Sequence, residues 1–124
     1  MSGKIIVIEN DTDISELITL FLQEENYFIF QSKGDAIFQD ILRIKPDLII
    51  IDYFLKRGMT GAELCLTIKS SSLFEHIPII LMSSLVDLEY TAKECKATSL
   101  VYKPFNIHDL HSRIKEALLG IETP

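Results

Sequence analysis

The sequence predicts a doubly wound α/β fold in which five parallel strands alternate with five helices. Three observations lead there. The first is the run Leu48-Ile49-Ile50-Ile51, four consecutive apolar residues, three of them β-branched, closed by Asp52. Such a run reads as a strand buried on both faces, the habit of a parallel sheet. The second is that shorter apolar runs recur at residues 4–9, 27–31, 77–82 and 99–102. The third is that helical spacing fills the intervals, as right-handed βαβ crossovers require.

In chain order, residues 4–9 form the first strand. Asp13 and Glu16 have capping-box spacing for the first helix, whose apolar stripe is Ile14, Leu17, Ile18, Phe21 and Leu22. The second strand, 27–31, is broken by Gly34, and Ile37, Phe38, Ile41 and Leu42 face inward on a short second helix that Pro46 stops. After the central strand, Thr60 and Glu63 bracket another capping box, opening a helix that buries Leu64, Cys65 and Ile68. Ser70-Ser71-Ser72 is a polar loop before the strand at 77–82. Ser84 with Asp87 caps the fourth helix, which runs to about Cys95. After the strand at 99–102, Asn106 caps the last helix, lined by Ile107, Leu110, Ile114 and Leu118. Residues 1–124 read as a single domain, with a core at 4–119, a frayed tail at 120–124 and no output domain expected after it.

Composition excludes several functions. A net charge of −6 argues against nucleic acid or an anionic membrane as partner. No apolar run approaches the roughly 18 residues of a membrane span, and Met1-Ser2-Gly3-Lys4 leads into a strand without a signal peptide, so a cytoplasmic location is expected. Cys65 and Cys95 match no metal or redox spacing and read as buried free thiols of a reducing compartment. His76, His108 and His111 have no clear carboxylate or cysteine companion and read as solvated surface. Ser83-Ser84 lacks the Gly-x-Ser-x-Gly elbow of a hydrolase. Glu9-Asn10-Asp11 would repel a dinucleotide's phosphates without a cation.

Parallel strands deliver their C-terminal ends to one edge, where α/β folds place their sites. Glu9-Asn10-Asp11, Asp52, Ser83 and Lys103 meet there. Clustered carboxylates need a counter-charge. Mg²⁺, a hard cation that suits one or two carboxylates plus phosphate oxygens, is one candidate; the Lys103 ammonium is the other. With the Ser83 hydroxyl, the set suits a phosphoryl group. Asp52 would be the nucleophile, metal and lysine would neutralise phosphate oxygens, and Ser83 would hydrogen-bond one of them.

Four segments, each closing a strand, carry a resemblance. They are Ile8-Glu9-Asn10-Asp11, Pro46-Asp47-Leu48-Ile49-Ile50-Ile51-Asp52, Pro78-Ile79-Ile80-Leu81-Met82-Ser83-Ser84 and Lys103-Pro104-Phe105. Over essentially its whole length the chain resembles a receiver domain of bacterial two-component response regulators, of the stand-alone, chemotaxis-regulator kind. The resemblance implies a flavodoxin-like (βα)5 sheet of order 2-1-3-4-5. It implies that Asp52 accepts a phosphoryl group from a histidine kinase or phosphotransfer protein, as a phosphoacceptor rather than an enzyme. It implies a Mg²⁺ site from Glu9, Asn10, Asp11, Asp52 and the backbone carbonyl of Phe54, and a cis bond before Pro104. It also implies that an unidentified downstream protein docks on the region from Asp87 to Leu118, near which Tyr90 and Tyr102 fall.

The chain departs from that pattern at several positions. Asn10 stands where receivers usually carry a metal-binding aspartate, so weak Mg²⁺ binding is expected. Leu100 stands where many have the aromatic switch residue, which leaves Ser83 without its usual relay. Lys56 replaces a common proline, and the loop from Lys56 to Thr60 is one residue longer than the commonest form. Phe54 and Leu85 occupy the two positions that tune hydrolysis; both are apolar, so slow self-dephosphorylation is expected. Two readings remain: a phosphorylatable switch, and a pseudo-receiver that acts as a phosphorylation-independent interaction module.

Overall fold

The computed structural model describes residues 3–55 and 58–120, so Lys56 and the tail at 121–124 lie outside the described residues. Five strands, β1 (Lys4–Ile8), β2 (Phe28–Gln31), β3 (Leu48–Asp52), β4 (Ile79–Ser83) and β5 (Ser99–Tyr102), alternate with five helices. The helices are α1 (Thr12–Glu24), α2 (Ile37–Ile44), α3 (Gly61–Lys69), α4 (Glu89–Glu94) and α5 (Ile107–Leu118). The strands form one parallel sheet of order β2-β1-β3-β4-β5.

Side chains alternate across each strand, and the alternation sorts the core into two layers. Ile6, Ile8, Ile49, Ile51, Ile79, Leu81 and Leu100 pack with α2, α3 and α4 on one face. Ile5, Val7, Leu48, Ile50, Ile80, Met82 and Val101 pack with α1 and α5 on the other. Each fully buried isoleucine or leucine contributes about 1.5–3 kcal/mol, so β3, buried at all five positions, is a rigid support for Asp52.

Local chemistry sets several helix starts. Thr60 Oγ1 accepts from the Glu63 N–H at 3.1 Å while Glu63 Oε1 accepts from the Thr60 N–H at 3.0 Å, the capping box read from the sequence. Asn106 Oδ1 accepts from the His108 N–H at 2.8 Å. At α1 the cap is Asp11, not Asp13: its Oδ1 accepts from the N–H groups of Asp13 and Ile14 at 2.9 and 3.2 Å. Asp13 lies inside the first turn instead. At α4 neither Ser84 nor Asp87 caps. Asp87 sits at φ 60°, and the helix starts later, behind Leu88, with no side-chain cap. Leu88 is drawn into the core, and its N–H donates to the Tyr102 hydroxyl at 3.2 Å.

Three residues expected to face inward are exposed: Leu17, Phe38 and Leu42. A helix lying on a sheet buries a stripe narrower than its run of apolar residues. α1 buries Ile18 and Leu22 with Ser15, and α2 buries Ile37, Ile41 and Ile44. His111 is not solvated surface: its ring packs edge-on against Phe21 and Tyr27, with Nε2 3.3 Å from the Tyr27 hydroxyl. Cys65 and Cys95 are buried free thiols. They lie side by side, Cys65 Sγ donating to the Cys95 carbonyl at 3.2 Å and joining α3 to the end of α4. Among the described residues no helix is long and apolar enough to cross a membrane.

Candidate functional site

The C-terminal edge of the sheet brings together Glu9, after β1; Asp52, ending β3; Ser83, ending β4; and Lys103, after β5. Lys103 is the centre of charge. Its Nζ lies 2.6 Å from Glu9 Oε1 and 3.1 Å from Asp52 Oδ1. The Glu9 side chain is wholly buried and that of Asp52 nearly so, so neither carboxylate has water enough to stabilise it alone. The ammonium is therefore the partner of Glu9 Oε1, which has no other hydrogen bond among the described residues.

Burial, then the hydrogen bond and charge of Glu9, push the Asp52 carboxyl up to about 6, against the pull of Lys103. Burial draws the Lys103 pKa down, but the hydrogen bonds and charges of Glu9 and Asp52 outweigh it and leave it above the ordinary lysine value. The Lys103–Pro104 peptide bond is cis.

Ser83 is fully buried, and its Oγ accepts from the Leu85 N–H at 2.9 Å. In register beside it on β5 is Tyr102. The hydroxyls of these two paired residues, Ser83 and Tyr102, thus hold the two ends of the β4–α4 loop, at Leu85 and Leu88. Leu100 is buried in the core two residues earlier on β5, on the same face as Tyr102. The Tyr102 contact was missed from the sequence, although the two-residue period of a strand placed it level with Leu100. Phe54 and Leu85 are exposed near the edge, at 50% and 42%, and the Phe54 ring stands edge-on to Tyr53. An open groove of about 1090 Å³ adjoins the Asn10 side, lined in part by Glu9, Ser32, Gly34, Phe38 and Met59.

The residues expected to bind metal divide. Asn10 turns its amide to the Phe54 carbonyl, Nδ2 donating to the oxygen. Asp11 is committed to the α1 N-terminus and exposed. Glu9 and Asp52 share Lys103. Among the described residues no three acidic, histidine or cysteine side chains form a group able to hold a metal ion. Receiver domains in general bind Mg²⁺ at this site; in this chain the side chains of that set are already engaged by partners of their own. Replacing Asp11 with alanine is expected to cost about 1 kcal/mol of stability through the lost cap, read as a lower midpoint in urea denaturation.

Comparison with known proteins identifies the family. The family model for the response regulator receiver domain matches residues 5–115. The phosphate regulon transcriptional regulatory protein PhoB of Pseudomonas aeruginosa is 30% identical over 122 residues, covering 95% of this chain and 53% of that protein. The DNA-binding response regulator MtrA of Mycolicibacterium paratuberculosis is 25% identical, over 95% of this chain and 52% of its own length. The chain thus spans about half the length of these relatives. The receiver domain of a signal transduction histidine kinase from Syntrophus aciditrophicus superposes with a TM-score of 0.86 at 28% identity, covering 98% of this chain and 94% of that one. A response regulator structure from Chloroflexus aurantiacus shares the fold with a TM-score of 0.88 at 24% identity, over 96% and 99% of the two chains. On these matches, the chain belongs to the response regulator receiver domain family.

Proposed function

We propose that Asp52 accepts a phosphoryl group from a histidine kinase or a phosphotransfer protein, and that the modified edge alters a docking face between Asp87 and Leu118. The observation that supports this best is the Asp52 carboxylate on a rigid strand end, 3.1 Å from the Lys103 ammonium. A carboxylate oxygen attacks the phosphorus of a phosphohistidine; the P–N bond breaks, and the imidazole leaves with its electron pair. Lys103, already within reach of Asp52, neutralises a phosphoryl oxygen, and the Ser83 hydroxyl donates its proton to another. Because the same hydroxyl accepts from the Leu85 N–H, its reorientation pulls on one of the two ties of the β4–α4 loop, and Tyr102 keeps the other. The chain acts as phosphoacceptor and binding switch, not as an enzyme on an external substrate. Mg²⁺ is held weakly, because Asn10 brings no charge. Phe54 and Leu85 offer no group to orient an attacking water, so the aspartyl phosphate is long-lived.

A second reading, the pseudo-receiver, is favoured by the Asn10 amide on the Phe54 carbonyl. Intact mass after incubation with a small phosphodonor, with and without Mg²⁺, separates the two. A gain of one phosphoryl group, absent from Asp52→Asn, is the expected result, with decay slower than in Phe54→Asn. No gain in a folded protein would leave the pseudo-receiver.

A further inference from the structure

Asn10 does more than fail to supply a charge. Its amide joins the loop after β1 to the loop after β3, reaching the Phe54 carbonyl across 44 residues of sequence. A carbonyl oxygen only accepts hydrogen bonds, so the orientation of the amide is settled: Nδ2 faces Phe54 and Oδ1 faces away. The Phe54 carbonyl is the one backbone oxygen in the ligand set that family resemblance implies. Here it already accepts from a donor within the chain. The remaining candidates are also engaged, Glu9 and Asp52 by Lys103 and Asp11 by the first turn of α1.

We infer that the Asn10 amide stands in for the divalent cation, holding the β3–α3 loop against the acidic edge so that the site is assembled without Mg²⁺. The partial positive charge of the N–H groups meets the Phe54 oxygen where a cation would otherwise meet it. Glu9 and Asp52 carry two negative charges and Lys103 one positive, so one negative charge is left uncompensated. An aspartate at position 10 would double that excess, remove the donor and set a carboxylate against a carbonyl oxygen. The metal requirement would then return. The inference rests on the reading of this edge as the receiver site, and it concerns what holds that edge together before any phosphoryl group arrives.

Thermal unfolding of the intact chain tests it, with Asn10→Asp and Asn10→Ala alongside, each in EDTA and in millimolar MgCl₂ at matched ionic strength. The parent midpoint is expected to move by less than about 1 °C on adding Mg²⁺, as for a ligand with little preference for the folded state. Asn10→Asp is expected to melt below the parent in EDTA and to gain about 5 °C or more with Mg²⁺. Asn10→Ala, which loses the donor without adding charge, is expected to melt below the parent in EDTA. A parent that gains as much from Mg²⁺ as Asn10→Asp would overturn the inference, as would an Asn10→Ala that matches the parent in EDTA. Should Asn10→Asp not fold in EDTA, the parent and Asn10→Ala decide the matter by the same criteria. No phosphodonor enters these melts. Failure of Asp52 to be labelled would thus refute the switch and leave this inference standing, and the reverse also holds.

Discussion

Gly61→Ala is expected to destabilise the fold by about 3 kcal/mol or more. A Cβ on Gly61 would lie 2.1 Å from the Asp52 carbonyl oxygen, 2.8 Å from its carbon and 2.9 Å from Ile51 Cγ2. The nearest two of these atoms are backbone, so no side chain can swing aside. The helix cannot slide away either, because the Thr60–Glu63 box holds its first turn and the Gly61 N–H donates to the Tyr53 carbonyl at 2.7 Å. Relief must come from moving the end of β3, which carries Asp52. Urea denaturation should therefore show a lower midpoint, and the surviving folded protein should label more slowly. Gly58→Ala is the control. There a Cβ meets none of the described residues within 4 Å, and the cost, about 1–2 kcal/mol, comes from φ +76°. Equal losses in the two variants would mean that α3 yields freely at its start.

Asp52→Asn, in EDTA, is expected to be more stable than the parent by about 1–2 kcal/mol near pH 8. The parent carboxyl titrates from 3.8 when free to about 6 in the fold. Its charged form is thus disfavoured by folding, first by burial and then by Glu9, even with Lys103 at hand. The parent loses stability as pH rises from about 4 to about 6 and does not regain it above. Asparagine does not ionise, so the advantage of the variant grows through that window, is constant above it and fades below it. Solvent at the mouth of the edge holds the gain to the stated size. Chemical denaturation at several pH values reads it directly. A variant less stable than the parent at pH 8 would mean that the Lys103 attraction outweighs burial and repulsion together.

Much of the sheet was legible because its signal is local. Leu48 to Ile51 leaves no polar residue to face solvent, and only a strand covered on both sides accommodates that. Thr60 with Glu63, and Asn106, are caps whose partners lie within three residues. The end of α4 at Cys95 was legible, but its start was read wrongly because Ser84, Asp87 and Leu88 each sit near a plausible start. The choice among them is made by core packing of Leu88 and by the Tyr102 hydroxyl, neither visible in that stretch. Leu17, Phe38 and Leu42 show the converse error: periodicity counts apolar residues, but the sheet decides how wide a stripe it covers. At the site, the convergence of Glu9, Asp52, Ser83 and Lys103 follows from topology alone. What each side chain then does depends on which contact wins. Asp11 keeps the nearest N–H groups, a local cap whose partners lie two and three residues on, whereas Asn10 finds Phe54 and Cys65 meets Cys95 across 44 and 30 residues, with no spacing in the sequence to announce either.

α4 has six residues, buries only Ala92 among them, and starts without a side-chain cap. Hydrogen exchange and β3 define the contrast. Amides of a strand buried at every position exchange only when the whole molecule opens, whereas a short helix with one buried residue opens by itself at small free energy. The molecule therefore places the shortest of its described helices beyond the strand end that carries Ser83. A perturbation of a few hydrogen bonds at that end is small against the core and comparable to what keeps α4 in place. The surface beside β5 can accordingly exist in more than one arrangement while the sheet beneath it keeps a single one.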